Sequence, residues 1–307
     1  MLVATKVARL CRARLLACNR FESGGRMSGF ANRSQDQRVG MSAIRFPCAA
    51  LALLLLLVAL PARAGVGFDP APSGKPGMRF AEYTYALIWE PGACLTRDAL
   101  AGPDCATRTP RDARSRQFSL HGLWASTPAE LQAQQMPDPV WWRYGCYWYR
   151  PGHAIPAGFC SNAALDLPAA LQARLWRAMP AAQRCLDRHE YFKHAQCFGF
   201  RPAPFFGRAL DMLDAVNASA FTAWIRAHAG QTVSRGAVRA AFRRGFGPDS
   251  RHALELRCGR RPGAAQADVL VQAWMTVRAG RLARFPAPDS FGHGRRGNCP
   301  ARIFIAR

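Results

Sequence analysis

From residue 79 onward, apolar and polar positions follow two distinct rhythms. Within Arg79–Trp89, the aromatic and aliphatic residues Tyr83, Tyr85, Leu87 and Trp89 recur at every second position, which predicts a strand with one buried face. Gln117–His121 reads as a second, short strand ending at Gly122. The rhythm then lengthens toward three to four residues, predicting helices over Asp166–Ala178, about Asp187–Cys197, Pro204–Val216 and Ala218–His228. One more helix starts after Ser234, a good N-cap, and runs to about Arg244. Alternation returns in His252–Cys258, Val269–Val277, Arg281–Phe285 and Ala301–Ile305. Between the first strands and the helices, Pro137–Cys160 is rich in Trp, Tyr, Pro and Gly and reads as an irregular aromatic segment. Helices grouped between strands imply an α+β fold with no repeating βαβ unit, and one domain over 79–307.

The first 78 positions do not fit that domain. Met41–Ala64 has a basic residue, Arg45, an apolar core from Ala49 to Leu60 and the small-x-small ending Ala62-Arg63-Ala64. This is the pattern of a secretory signal peptide cleaved before Gly65, and the apolar run is too short for an ordinary membrane span. Residues 1–40 are basic and without apolar periodicity; Met41 is the expected start of translation, with an extended leader as the other reading. Residues 65–78 form a Pro/Gly-rich, flexible lead-in. Export to the periplasm or beyond follows as an expectation.

Removing residues 1–64 changes the cysteine and charge picture. Three of the 11 cysteines go with the leader, which leaves Cys94, Cys105, Cys146, Cys160, Cys185, Cys197, Cys258 and Cys299. An even number behind an export signal predicts four disulfides, although spacing alone leaves roughly a hundred pairings open. No CxxC is present to make a zinc ribbon or a dithiol redox site. Positions 1–64 also hold 10 of the 42 basic and 2 of the 19 acidic residues, so 32 and 17 remain, a charge of +15. That excess favours a polyanionic partner: RNA, DNA or an anionic membrane surface. All but two of the remaining basic residues are arginine, and a genome-wide composition bias would also produce this.

Two segments carry the candidate chemistry: Phe118-Ser119-Leu120-His121-Gly122-Leu123-Trp124, and His189-Glu190-Tyr191-Phe192-Lys193-His194 followed by Cys197. On a helix, Glu190 shares a face with Lys193 and His194, so a carboxylate, an ammonium and an imidazole point into one volume, with His189 beside it. His121 lies at a strand end, where Gly122 permits a close turn and Trp124 offers a surface on which a base can stack. Two imidazoles from separate segments suit RNA cleavage by the substrate's own 2′-hydroxyl: one accepts that proton, the other protonates the leaving 5′-oxygen, and a cation stabilises the transition state. No metal or other cofactor is needed for this.

FSLHGLW and HEYFKHAQC resemble the two active-site segments of the ribonuclease T2 family, FTIHGLWP and HEWEKHGTC. The resemblance runs from about Arg79 to the C-terminus. YALIWEPGAC, WWRYGC and CLDRHEYFKHAQCFGFRPAPFFGRALDMLDAVN look especially like its bacterial periplasmic, ribonuclease I-like branch. It implies a central antiparallel sheet with a helical layer, and RNA as substrate. It implies His194 as general base, His121 as general acid, Glu190 and Lys193 as transition-state stabilisers, His189 as a phosphate ligand and Trp124 as a base platform. The products implied are a 2′,3′-cyclic phosphate and a 5′-hydroxyl. It further implies pairing of Cys94 with Cys105, Cys160 with Cys197 and Cys258 with Cys299, which leaves Cys146 with Cys185. Ala125 stands where the family has Pro, Ala195-Gln196 where it has Gly-Thr, and Ser126 where some members place an adenine-reading Asp; low base specificity is expected. A monomer without stable membrane insertion completes the reading.

Two rivals remain. HEYFKH superficially resembles the zinc motif HExxH, but the second histidine is five residues on, off the face that joint coordination requires. The chain could instead be a secreted basic RNA-binding or membrane-active protein without cleavage activity. His153, His228, His252 and His293 lack supporting context and read as structural, as do Trp141, Trp142, Tyr147 and Tyr149, interleaved with Arg143 and Arg150, as a packed aromatic loop.

Overall fold

The computed structural model describes residues 78–307 apart from 99, 100, 102, 104 and 266. The signal peptide at 41–64, the leader at 1–40 and the lead-in up to residue 77 lie outside the described residues. The alternating segment forms β1 (Glu82–Ile88), which ends where the Glu-Pro-Gly sequence starts a short helix, α1 (Glu90–Thr96). β2 (Ser119–Ala125) runs antiparallel to β1, continuing through Gly122 rather than stopping there. Short helices α2 (Ala129–Ala133) and α3 (Asp138–Tyr144) follow. The helical middle comprises α4 (Ala169–Ala178), α5 (Leu186–His194), α6 (Pro202–Asn217) and α7 (Ala220–Ala227). β3 (Gln231–Ser234) leads into α8 (Arg235–Phe246), whose first turn Ser234 caps by accepting from the Ala237 N–H. β4 (Leu254–Gly259), β5 (Val269–Arg278) and β6 (Arg302–Ile305) complete the α+β chain.

The sheet path is β2-β1-β5-β6-β3, with β4 also on β5. Every pairing is antiparallel except a single parallel contact of β5 with β6, Val269 against Phe304. Alternation places Tyr83, Tyr85 and Leu87 in the main core, while Ile88 joins Ala93, Ala101 and Val271 in a small cluster on the other side. Helix α6 packs on the main core through Phe206, Leu210 and Leu213, and the Tyr85 hydroxyl donates to the Ala209 carbonyl at 2.8 Å. Side chains such as Trp89, Phe206, Phe221 and Phe242, each fully buried, contribute about 1.5–3 kcal/mol apiece.

Five elements differ from the sequence reading. Arg281–Phe285 is not a strand: residues 279–284 make a 3-10 turn, since the chain leaves the sheet after Arg278 at Ala279-Gly280. β3, with Val233 as its single aliphatic residue, carries too little alternation to be seen in the sequence. α1, α2 and α3 are likewise too short for helical periodicity. The aromatic segment otherwise winds through 3-10 turns at 145–149, 151–153 and 159–161. The expected packing is met in part: Trp141, Tyr147 and Tyr149 are buried and Arg150 lies over the Tyr147 ring, but Trp142 is exposed, with the Arg295 guanidinium over its ring.

Among the described residues four disulfides form, and two of the implied pairings are wrong. Cys94–Cys105 and Cys258–Cys299 stand, but Cys146 pairs with Cys197 and Cys160 with Cys185, not Cys160 with Cys197 and Cys146 with Cys185. The reason is the length of α5. Cys185 sits at its N-terminal end and Cys197 just past its C-terminal end, separated by a helix about 13 Å long. The 3-10 turn holding Cys160 lies at the first end and the one holding Cys146 at the second, where the Cys197 N–H meets the Cys146 sulfur at 3.2 Å. Each cysteine bonds the partner at its own end.

Candidate active site

Two elements bring the site together, β2 and α5. In the β1–β2 ladder, Ala86 faces Gly122 and Leu87 faces Leu120, so His121 is the extra residue of a β-bulge. A bulge re-aims the side chain at its extra position, a common device beside active sites. The following Gly122 is a steric requirement: a Cβ there would land on the Glu190 carboxylate and the Trp124 indole nitrogen. The backbone of β2 thereby lies directly against α5.

On α5, Glu190 is buried and its Oε2 accepts a 2.5 Å hydrogen bond from Trp124 Nε1. Its Oε1 lies 3.6 Å from His121 Nε2. The Trp124 ring stands edge-on to His121, with centroids 4.8 Å apart, and stacks on His194 at 5.3 Å. His189 packs against Phe159 at 4.4 Å, and its ring lies 6.1 Å from that of His194. The Lys193 backbone lies close over Gly145, which has a positive φ of 51° and whose missing Cβ would strike the Lys193 carbonyl. The structure thus brings together all six residues singled out in the sequence: His121, Trp124, His189, Glu190, Lys193 and His194.

Two further members of the site carry no signal in the sequence. Gln272 and Trp274 lie two apart on β5, hence on one face of the sheet. Gln272 Oε1 is 2.8 Å from both His121 Nδ1 and Trp274 Nε1. An indole only donates, so Oε1 is the acceptor for both, and His121 carries its ring proton on Nδ1. Nε2 is then the nitrogen free to take and give a proton. Trp274 also meets Trp124 edge-on at 5.0 Å and is covered by the Arg257 guanidinium at 4.7 Å. Only strand pairing across β1 unites Gln272 with a residue 151 positions away.

Burial and crowding of like charge set the protonation states. His121 is lowered to about 4, chiefly by burial; Gln272 works against this and Lys193 adds to it. His189 is lowered to about 4 by burial, Lys193 and His121. His194 falls well below the usual imidazole range through burial and then Lys193, His189 and His121. Burial raises Glu190, opposed by the Trp124 N–H and Lys193, and burial lowers Lys193, opposed by Glu190. Such a cluster is short of negative charge, and a bound phosphodiester would supply it.

The same donors bear on metal binding. Ligand atoms of His189, Glu190 and His194 all lie within 4.8 Å of one another, so these three residues could hold a cation. The five-residue spacing does not keep His189 and His194 apart, contrary to the sequence reading: His194 is the last residue of α5, and its ring reaches back toward His189. Among the other histidines, His153 stacks on Trp148 at 3.8 Å and His228 on Trp224 at 4.0 Å, both as structural groups. Among the described residues no helix is long and apolar enough to cross a membrane.

Comparison with known proteins places these features in a lineage. A family model described as the Ribonuclease T2 family matches residues 80–284. The chain is 29% identical over 236 residues to Ribonuclease I of Escherichia coli (strain K12), covering 74% of this chain and 86% of that protein. Solved structures with a similar course include a mutant of RNase MC1 in complex with 5′-GMP, with 19% identity, 73% of this chain and 99% of that chain covered, and a TM-score of 0.47. Another is the self-incompatibility associated SF11-RNase of Nicotiana alata, with 13% identity, 75% and 100% coverage, and a TM-score of 0.49.

Proposed function

The chain belongs to the ribonuclease T2 family and is an endoribonuclease of that type; from this premise we propose that it cleaves single-stranded RNA without a metal ion, by transphosphorylation. The observation that carries the reading is the shared volume in which His121, from β2, and His194, from α5, flank Glu190 and Trp124.

His194, neutral near pH 7, accepts the 2′-hydroxyl proton as the 2′-oxygen attacks the adjacent phosphorus. The P–O5′ bond breaks, and His121 gives a proton from Nε2 to the departing 5′-oxygen. In the unliganded site His121 binds that proton weakly, and the phosphodiester's negative charge offsets Lys193 and restores it. Lys193 stabilises the equatorial oxygens of the transition state. Glu190, pushed toward its neutral form, offers an O–H to the same oxygens instead of a second negative charge. His189 binds phosphate, and Trp124 supports the substrate base.

Low base specificity is supported at Ser126, whose hydroxyl accepts from the Glu82 backbone N–H at 3.2 Å and is engaged at the strand end. Four disulfides support an exported protein, since they persist in oxidising compartments. We expect a monomer.

The test is cleavage of single-stranded RNA by the disulfide-bonded protein in excess EDTA, with the product ends identified. Ends bearing 2′,3′-cyclic phosphate and 5′-hydroxyl are expected. Activity that vanishes in EDTA and returns with a divalent cation would overturn the two-histidine mechanism in favour of the His189–Glu190–His194 cation site. Correct folding with no cleavage under either condition would favour the binding-only alternative.

A further inference from the structure

A second concentration of positive charge lies outside the catalytic site. Arg235, Arg239 and Arg243 recur every four residues on α8, about 6 Å apart along the helix axis. The adjoining face of α8 is buried through Val238, Ala241, Phe242 and Phe246, so the helix that carries these arginines is fixed in the fold. Arg239, Arg243, Arg251 and His252 line a groove of about 360 Å³ whose remaining lining residues are Gly236 and Ala240, small enough to leave its floor open. Arg239 also lines an adjoining hollow with Arg235 and Arg296.

The arrangement is electrostatically unbalanced. Arg174, Arg257, Arg261, Arg281, Arg284 and Arg295 each pair with a carboxylate. Among the described residues, no such ion pair involves Arg239, Arg243, Arg251 or Arg296. Arg239 is moreover half-buried, and burial and Arg235 both disfavour its charge. Composition bias supplies arginines but does not gather unpaired ones in a concave surface. Such a gathering raises the local potential and concentrates anions. Arg251 is oriented by donating from Nε to His252 Nε2 at 2.8 Å, and the His252 ring faces His293 at 5.4 Å.

We propose that this groove is a second RNA-binding site that holds backbone phosphates of a long strand away from the linkage being cut. Regularly spaced guanidiniums suit successive phosphates. A membrane surface is the poorer match: the exposed large apolar side chains Leu95, Trp142, Ile155, Phe159 and Trp176 all lie in other segments, leaving nothing in the groove to insert. The proposal rests on RNA being the substrate.

The test compares the unsubstituted protein with the triple variant Arg239→Gln/Arg243→Gln/Arg251→Gln on two substrates, a dinucleoside monophosphate and a long single-stranded RNA. The dinucleotide fills the catalytic site alone, so its kcat/KM should stay unchanged, which also reports intact folding. For the long RNA, kcat/KM should fall roughly tenfold, and its logarithmic dependence on salt should become shallower by about 2, the loss of three phosphate contacts. Equal effects on both substrates, or none on the long RNA, would overturn the proposal. So would variant-sensitive binding to anionic phospholipid vesicles with RNA handling unaltered. If the unsubstituted protein cleaves neither substrate, the ribonuclease mechanism fails separately. Filter binding of the long RNA to both proteins then decides the groove: equal affinity refutes it, and weaker binding by the variant sustains it.

Discussion

His121 donates from Nδ1 to the side-chain oxygen of Gln272 across 2.8 Å, and the Trp274 indole fixes that amide by donating to the same oxygen. The contact joins β2 to β5 across β1 and determines which imidazole nitrogen faces Glu190. Gln272→Leu removes the acceptor while keeping the bulk. We expect kcat/KM to fall about tenfold to a hundredfold, as when a partner that orients a reactive imidazole is lost. The limb of the pH–rate profile governed by His121 should move toward lower pH, because Gln272 favours the protonated ring. A loss of rate with an unmoved profile would reduce Gln272 to a packing role.

The two histidines should each be indispensable. His121→Ala and His194→Ala are expected to lower kcat by about a thousandfold or more, the combined scale of acid–base and positioning effects. Single-turnover cleavage of RNA checks this, and a near-native rate in either variant would refute its assigned role.

Gly122 gives a sharper steric prediction. In Gly122→Ala the new methyl group overlaps the Glu190 carboxylate and the Trp124 indole nitrogen, so β2 and α5 must separate. Overpacking of this kind costs about 1–3 kcal/mol, and a shift of 1 Å at the reacting groups costs about a hundredfold in rate. Urea unfolding and kcat measured together should show the two losses arriving as a pair.

Protonation of His121 also ties stability to pH. Its pKa is lowered to about 4 in the folded protein, from near 6.5 when unfolded. Between these values the unfolded chain takes up a proton that the folded chain refuses, so stability falls as pH drops from about 6.5 to 4. This one group accounts for on the order of 3 kcal/mol of that decline. Urea midpoints of the native protein and His121→Asn at pH 7 and pH 4.5 measure it. The variant should lose visibly less on acidification.

The disulfide pattern predicts a local effect. Cys146→Ser/Cys197→Ser opens a loop with a sequence separation of 51, a loss of about 4 kcal/mol by chain entropy. It also frees the end of α5 that carries Lys193 and His194, so activity should fall further than in the Cys94→Ser/Cys105→Ser pair, whose bond holds no catalytic segment. Comparable activities in the two variants would count against a positioning role for the Cys146–Cys197 bond.

Legibility in the sequence followed the range of the interactions. The six residues of the two motifs were readable because each motif is local: a strand segment and one face of a helix. The α+β class was readable from the switch between two apolar periods. Gln272 was invisible, since an alternating strand residue gains its role only when β1 intervenes between β5 and β2. The crossed disulfide assignment failed for a related reason: a cysteine's partner depends on which end of α5 it flanks, a fact of three-dimensional length. β3 escaped because an exposed four-residue edge strand has little apolar surface to reveal it.

The bulge in β2 has one more implication. A strand residue in register is claimed by its ladder, because its backbone pairs and its side chain must take the face that alternation assigns. His121 is exempt from both duties, as the supernumerary residue between Leu120 and Gly122, which keep the ladder to β1. Aim and scaffolding are therefore divided among neighbours, and the imidazole can be directed at the site without weakening the strand that carries it. Deleting one residue at this point would mend the ladder and abolish the aim, so the chemistry of this protein depends on a count of residues as much as on their identity.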